Sequence, residues 1–464
     1  MRGPILFLCP GLFNIRNVLH SRMIPTLRAL GHPVAVLGTG LDPETAARTS
    51  GYAELRPLRR VRSGRLLSAI DVVQRASFFR RYGLTNDRVT LWWYRREDSP
   101  VARLGMSAIE SLSIVGARSP FYEWQLTWMD RLKRSTWDLG PARSALESMQ
   151  PAVVVATSCI RQIEEPYVMA ARELGIPTLG YVQSFDHLTG RSFTIACDHH
   201  AVWNERMRSH LQQYHGVTDA ARIHLTGTAQ FDFHRQDEFR WDRETTLARL
   251  GLQPGARYVL YAGNTYQVTP SEPELVQQFA ARVAATPALA GHTIVVRVHP
   301  NDEFGRWDGM SAAGARVVVS RPSSNRKSYS TPEEQARLVS TVLHADVCLN
   351  VWSSMSLDAA AVDTPVVAVG FAAHPGSAED RFCRTCYDTD YYRPIVESGG
   401  VRFAKDMDEL LSETVDYVMD RSRDREERAA LAREECGPLD GHSAERIARL
   451  IAGIAAERPV AAVA

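Results

Sequence analysis

Arg297 and His299 stand two residues apart at the end of an apolar run, and they are the side chains in this chain best placed to act together on a ligand. In a strand they face the same side, so a fixed cation and a directional imidazole donor would aim at one group. Two further segments have the same character. Gly263-Asn264-Thr265 follows the apolar run Tyr258 to Ala262, and Ser353-Ser354 follow Val347 to Val351 at the start of a helix that carries Asp358. Hydroxyls and backbone N–H groups at a helix start receive anions, and a carboxylate about one turn further in could accept the two hydroxyls of a ribose. Carboxyl ends of parallel strands are where open α/β sheets bind ligands. Taken one at a time, a serine is an ordinary cap and Arg-X-His a solvated strand edge. In this order and spacing the three segments predict a nucleotide-diphosphate cradle that uses no metal.

The elements that must hold these residues are legible as alternating apolar runs and helical stretches. In the first half Pro4 to Cys9, Pro33 to Leu37, Val153 to Ala156, Thr178 to Val182, His200 to Trp203 and Ile223 to Thr226 read as strands. Pro166 near a helix start and Gly175 just past its end punctuate one crossover. After a charged stretch and the turn Pro254-Gly255, a second run follows: Tyr258 to Ala262, Thr293 to Val298, Arg316 to Val319, Val347 to Val351, Val366 to Val369 and Val401 to Ala404. Strands alternating with helices imply α/β architecture with parallel sheets. With 464 residues the chain exceeds what one core serves, so two domains are expected. The predicted division is 1–235, 236–440, and a C-terminal helix and frayed tail over 441–464. Ile5 to Cys9 reads as the first strand, followed by a Gly/Asn turn. An Arg/Trp-rich insertion with Trp92, Trp93, Trp124, Trp128 and Trp137 spans about 45–140 and is expected to shape an acceptor surface.

Composition narrows the function classes. A formal charge of +1 argues against nucleic-acid binding. Seven scattered cysteines suit a reducing compartment. Cys383-X-X-Cys386 has half the spacing of a zinc site, and no second pair completes it. Asp388-X-Asp390 imitates a metal-binding pair but lies in an aromatic loop. The apolar stretch at Ile5 to Cys9 is too short for a secretory core, and no run approaches the ~20 residues that span a bilayer. A cytosolic protein is expected, with room for peripheral contact at an anionic membrane: eight arginines against the single Asp71 lie between Arg56 and Arg81, interleaved with Leu66, Leu67, Ile70, Val72, Val73, Phe78 and Phe79. The plainer reading of that stretch is a helix covering the core.

The three cradle segments, with the helix Ala359 to Pro365 running into the strand Val366 to Val369, resemble the C-terminal domain of GT-B glycosyltransferases. The closer likeness is to the envelope-polysaccharide branch related to CDP-glycerol glycerophosphotransferases, and a more distant one to UDP-N-acetylglucosamine 2-epimerases. Ser184 to Arg191, Val202-Trp203-Asn204, Thr226 to Asp232 and Asp440 to Arg446 extend the resemblance over nearly the whole chain. It implies two Rossmann-like domains facing a central cleft, an acceptor domain first and a nucleotide-donor domain second. It also implies transfer of a sugar, inverting and metal-independent, from a nucleotide-activated donor to a glycan, lipid-linked or small-molecule acceptor of the cell surface. The donor is a substrate, and no cofactor is implied. Gly263, Asn264, Thr265, Arg297, His299, Ser353, Ser354 and Asp358 would bind it. His20, in the first loop where many such enzymes keep a histidine, and Asp186, in the loop after a strand, are the two candidates for the base. The alternatives are a polyol-phosphate transferase using a CDP-glycerol-type donor and a nucleotide-sugar 2-epimerase.

Overall fold

The computed structural model describes residues 3–39, 51, 53–61, 64–90, 100–158, 163–193, 195–310, 316–322 and 331–457. Trp92, Trp93, the greater part of the segment 320–330 and the tail beyond Glu457 lie outside the described residues. The chain divides into two compact units, 1–229 with 442–464, and 230–441.

The first unit is built on a seven-stranded sheet in the order β3-β2-β1-β4-β5-β6-β7. Its strands are β1 (Ile5–Cys9), β2 (Val34–Gly38), β3 (Glu54–Pro57), β4 (Val153–Ala156), β5 (Thr178–Tyr181), β6 (His199–Val202) and β7 (Ile223–Leu225). All pairings are parallel. Apolar residues such as Ile5, Phe7, Leu6 and Leu8 are buried on both faces, so β1 lacks the alternation of a half-exposed strand. β3 has no such run, because as an edge strand it keeps Glu54, Arg56 and Pro57 exposed, and periodicity could not reveal it.

Two expectations change, and one stretch takes the plainer of its two readings. The turn predicted after β1 is the helix Leu12–Leu19. Asn14 and Asn17 lower its intrinsic propensity, but Asn14 donates to the Thr157 carbonyl (3.1 Å) and to Gln183 Oε1 (3.4 Å), and Asn17 donates to the same Oε1 (3.3 Å). The arginine-rich stretch forms the helix Arg65–Tyr82, and its apolar side is spent inward: Leu67, Phe78 and Phe79 are buried, leaving Leu66 exposed. The C-terminal helix Ser443–Glu457 belongs to the first unit. Ala444, Ile447, Ala448 and Ile451 form its apolar stripe and pack with Ile5, Phe7, Ile24 and Leu27.

The second unit carries a six-stranded parallel sheet in the order β10-β9-β8-β11-β12-β13. These are β8 (Arg257–Ala262), β9 (His292–Arg297), β10 (Val317–Ser320), β11 (Val347–Asn350), β12 (Val366–Val369) and β13 (Arg402–Ala404). Strand order reverses between β1 and β4 in one sheet and between β8 and β11 in the other. At each reversal the crossovers diverge and leave a crevice at the strand ends.

Two histidines of the first unit, the buried His200 and the half-buried His215, are held without charge. His200 stacks on Phe193 (5.6 Å between centroids) and His215 packs on its ring at 4.2 Å. His215 Nδ1 accepts from the Phe193 N–H (3.3 Å) while Nε2 faces the Leu188 carbonyl (2.7 Å), the pattern of a neutral ring. Burial lowers His200 to about 3 and His215 to about 4. Once unfolded, both titrate near the ordinary value of 6.5, so the unfolded chain takes up protons first as pH falls. Their contribution to stability is therefore complete above about 6.5 and is lost as pH falls through about 4 and then about 3. Denaturant unfolding over a pH series should show this loss, and His215→Gln should make it shallower by up to about 1.4 kcal/mol per pH unit.

Candidate nucleotide site

The strand register brings the three predicted segments together. Ala262, the last residue of β8, is paired with Arg297 on one side and with Asn350 on the other. The residues that follow β9, β8 and β11 therefore emerge side by side at the crevice of the second sheet. Asn264 closes the arrangement by donating its side-chain amide to the Val351 carbonyl (2.9 Å). Gly263 bonds its N–H to the Arg297 carbonyl (2.9 Å), and a Cβ there would approach Trp307 Cζ2 at 3.1 Å. The glycine thus permits close packing of the turn on an indole.

Arg297 is 5% exposed at the tip of β9, and His299 lies half-buried just beyond it. Burial lowers His299 to about 4, with Arg297 and Arg306 adding to the effect. Its Nδ1 accepts from the Asn301 N–H (3.1 Å), so the neutral ring carries its proton on Nε2. The cradle then has one guanidinium for charge and one imidazole N–H for direction.

Ser353 and Ser354 precede the helix Met355–Ala361, and both are half-buried. The Ser353 hydroxyl accepts from the Met355 N–H (3.3 Å). Trp352, just before them, has φ of 40°, a left-handed backbone unusual for a bulky residue. Two tyrosines hold this turn. The Tyr387 hydroxyl accepts from the Trp352 N–H (2.7 Å), and the Tyr392 hydroxyl donates to the Ser353 carbonyl (3.1 Å) while contacting Ser356 Oγ (2.8 Å).

Asp358 differs from its expected role. It is 3% exposed, and its carboxylate accepts from His234 Nε2 (2.8 Å) and from Gln230 Nε2 (3.2 Å to each oxygen). Its side chain is engaged with the segment that opens the second unit, so a ribose contact would have to displace those donors.

Below the Gly263–Thr265 turn lies a charged cluster that sequence reasoning missed. Arg306 pairs with Glu272 (3.0 Å) and Asp302 (2.8 Å), and it donates to the carbonyls of Asn264 (2.9 Å) and Thr269 (2.6 Å). Glu272 receives the Asn264 N–H (2.9 Å) and the Thr269 hydroxyl (3.0 Å), and burial raises it to about 7 against the pull of Arg306. Asp302 takes the Tyr266 N–H and the Trp307 indole N–H, each at 2.7 Å. In sequence, Asp302-X-X-X-Arg306 was the available signal, since that spacing favours an ion pair on a helical turn.

In the first unit, His20 closes the helix Leu12–Leu19 with its N–H on the Arg16 carbonyl (3.0 Å). Asp186 is half-buried at the start of the short helix His187–Gly190 and accepts the Ser184 hydroxyl. Their elements are joined through Gln183, which takes the Asn14 and Asn17 amides of the His20 helix. Cys383 and Cys386 are buried in the helix Ala378–Tyr387, and burial raises both thiols. Among the described residues no three His, Cys, Asp or Glu side chains group to hold a metal.

The sequence matches no family model and no curated protein. Solved structures do resemble it. A putative UDP-N-acetylglucosamine 2-epimerase from Listeria monocytogenes superposes with a TM-score of 0.60 at 12% identity, covering 99% of this chain and 98% of that one. The UDP-GlcNAc 2-epimerase from Neisseria meningitidis, bound to UDP-GlcNAc, gives 0.53 at 11% identity over 97% and 100%. The glycotransferase of kitacinnamycin gives 0.53 at 16% identity over 98% and 99%. Two parallel α/β units and likeness along the full length of such structures assign this chain the GT-B fold.

Proposed function

We propose that this chain is a glycosyltransferase that moves a sugar from a nucleotide-activated donor to a cell-surface polysaccharide or glycoconjugate acceptor, with inversion and without a metal. The observation that carries the reading is the convergence of Gly263–Thr265, Arg297–His299 and Ser353–Ser354 on three adjacent strand ends, joined by the Asn264 to Val351 hydrogen bond.

In the proposed reaction an acceptor hydroxyl attacks the anomeric carbon as the bond to the donor diphosphate breaks. The nucleophile's proton passes to a base, for which His20 and Asp186 of the first unit are the candidates. Negative charge grows on the leaving diphosphate, where Arg297, the His299 Nε2–H and the donors at Ser353–Ser354 stabilise it. Asp358 acts as a positioning residue, holding the helix behind Ser354. Arg306 does the same for the turn that presents Asn264 and Thr265.

A second reading, nucleotide-sugar 2-epimerisation, is favoured by the names of several structures that share the fold. Donor incubated with the enzyme alone separates the two: an epimer of the donor sugar supports the second reading, and a product formed only when acceptor is added supports the first.

Thermal shift with UDP, CDP, GDP, dTDP and CMP should give stabilisation by at least one diphosphate. No response to any of them would overturn the nucleotide site. With the responding nucleotide, His299→Ala should weaken binding roughly ten- to hundredfold, whereas His20→Ala should leave affinity intact and lower turnover by ~10²–10⁴-fold if His20 is the base. Arg306→Met should cost about 3–5 kcal/mol in thermal or denaturant unfolding, because it strands two buried carboxylates. Unfolding unchanged by that substitution would dismiss the brace.

A further inference from the structure

The large apolar side chains left exposed are unevenly distributed. Of ten such residues among those described, six fall between residues 112 and 128: Leu112, Ile114, Val115, Phe121, Trp124 and Trp128. They occupy a hairpin of two helices, Pro100–Gly116 and Phe121–Thr136, in the first unit. Phe121, Trp124 and Trp128 recur at helical spacing, so they share one face, while Tyr122, Met129 and Lys133 are turned inward. Trp124 and Trp128 are 59% and 36% exposed and stack on each other at 5.8 Å with 13° between their planes.

The hairpin is braced from beneath. Gln125 donates to the Gly116 carbonyl (2.9 Å), and Gly116 has no room for a Cβ against Ser77 and Gln125. Arg80 donates to Ser113 Oγ (3.1 Å), and Arg81 donates to the Ala117 carbonyl (3.2 Å) and to Glu123 (2.6 Å). Both arginines come from the helix Arg65–Tyr82, whose own apolar side is already buried in the protein. Arg118 is exposed in the turn between the two hairpin helices, and Arg131 is exposed one turn beyond Trp128 on the same stripe. The apolar tip therefore carries a basic rim of Arg80, Arg118 and Arg131, while Arg81 and Glu123 pair with each other and cancel.

From this we propose that the hairpin tip is an interfacial anchor that seats the first unit on an anionic lipid surface. Indole rings favour the boundary between headgroup and acyl chain, aliphatic side chains gain by entering it, and arginines meet lipid phosphates. The exposed side chains of the hairpin's first helix are the aliphatic Leu112, Ile114 and Val115, which suit an acyl-chain boundary better than a sugar. No helix among the described residues is long and apolar enough to cross a membrane, so the contact is one of insertion from one side. The inference rests on the first unit alone and is independent of the nucleotide site.

The full chain is tested by sedimentation with vesicles of phosphatidylcholine alone and of phosphatidylcholine with an equal part of phosphatidylglycerol, together with quenching of tryptophan fluorescence by brominated lipid. Binding should be roughly tenfold stronger on the anionic vesicles. Trp124→Phe with Trp128→Phe should keep most of the binding and lose most of the quenching. Leu112→Glu with Phe121→Glu should abolish binding without changing thermal unfolding or nucleotide response. Failure to bind either vesicle would overturn the proposal, as would binding that survives the double glutamate variant. Self-association dissolved by that variant, in a chain that ignores vesicles, would also overturn it and assign the tip to a second copy.

Discussion

Everything at the candidate site depends on the register of β8. Because it is paired in parallel with β9 on one side and β11 on the other, Ala262, Arg297 and Asn350 end level with one another. These three residues lie far apart in the chain, and only sheet pairing can make their successors neighbours. A slip of register would displace the Arg297–His299 tip or the Ser353 turn from the Asn264 turn and break the Asn264 to Val351 bond. The crevice at this reversal is thus a consequence of strand order, and its chemistry is a consequence of which residues follow each strand.

Strand ends are loops, and loops must be held still if they are to bind a diphosphate with preset geometry. In the second unit this is done by buried polar groups. Arg306, in the short helix Phe304–Trp307 after β9, bonds to the turn after β8, so the two loops behave as one body. Tyr387 and Tyr392 perform the same service for the turn after β11, where the left-handed Trp352 needs its N–H and its neighbours fixed. Such networks are costly to leave incomplete, which makes the loops rigid and sensitive to substitution.

The first unit uses hydrogen bonds from the helix after β1 in a comparable way. Asn14 and Asn17 reach the ends of β4 and β5, tying the helix that ends at His20 to the loop that contains Asp186. The helix Ser443–Glu457 follows the second unit in sequence yet covers this sheet, so the unit is assembled from two stretches of chain far apart in sequence. The arginine helix Arg65–Tyr82 has two roles: its apolar side closes the core, and its last arginines support the hairpin whose tip stays apolar and exposed.

Periodicity and strand-end residues made the two parallel sheets legible, along with twelve of their strands to within a residue or two, and they made the cradle segments stand out because helix starts, glycine turns and Arg-X-His have local meaning. β3 was hidden, since an edge strand needs no apolar pattern. The helix after β1 was hidden too, since its asparagines are compensated by partners more than a hundred residues away. Ownership of the last helix could not be read from its amphipathic stripe, which states that a face must be buried but not against what. The engagement of Asp358 by His234 and Gln230, the Arg306 cluster and the tyrosines behind Trp352 were decided by tertiary structure alone. Local sequence determines which conformations and which burial a segment prefers; the pairing of distant polar groups is chosen only when the folded chain removes them from water and leaves each to find a partner.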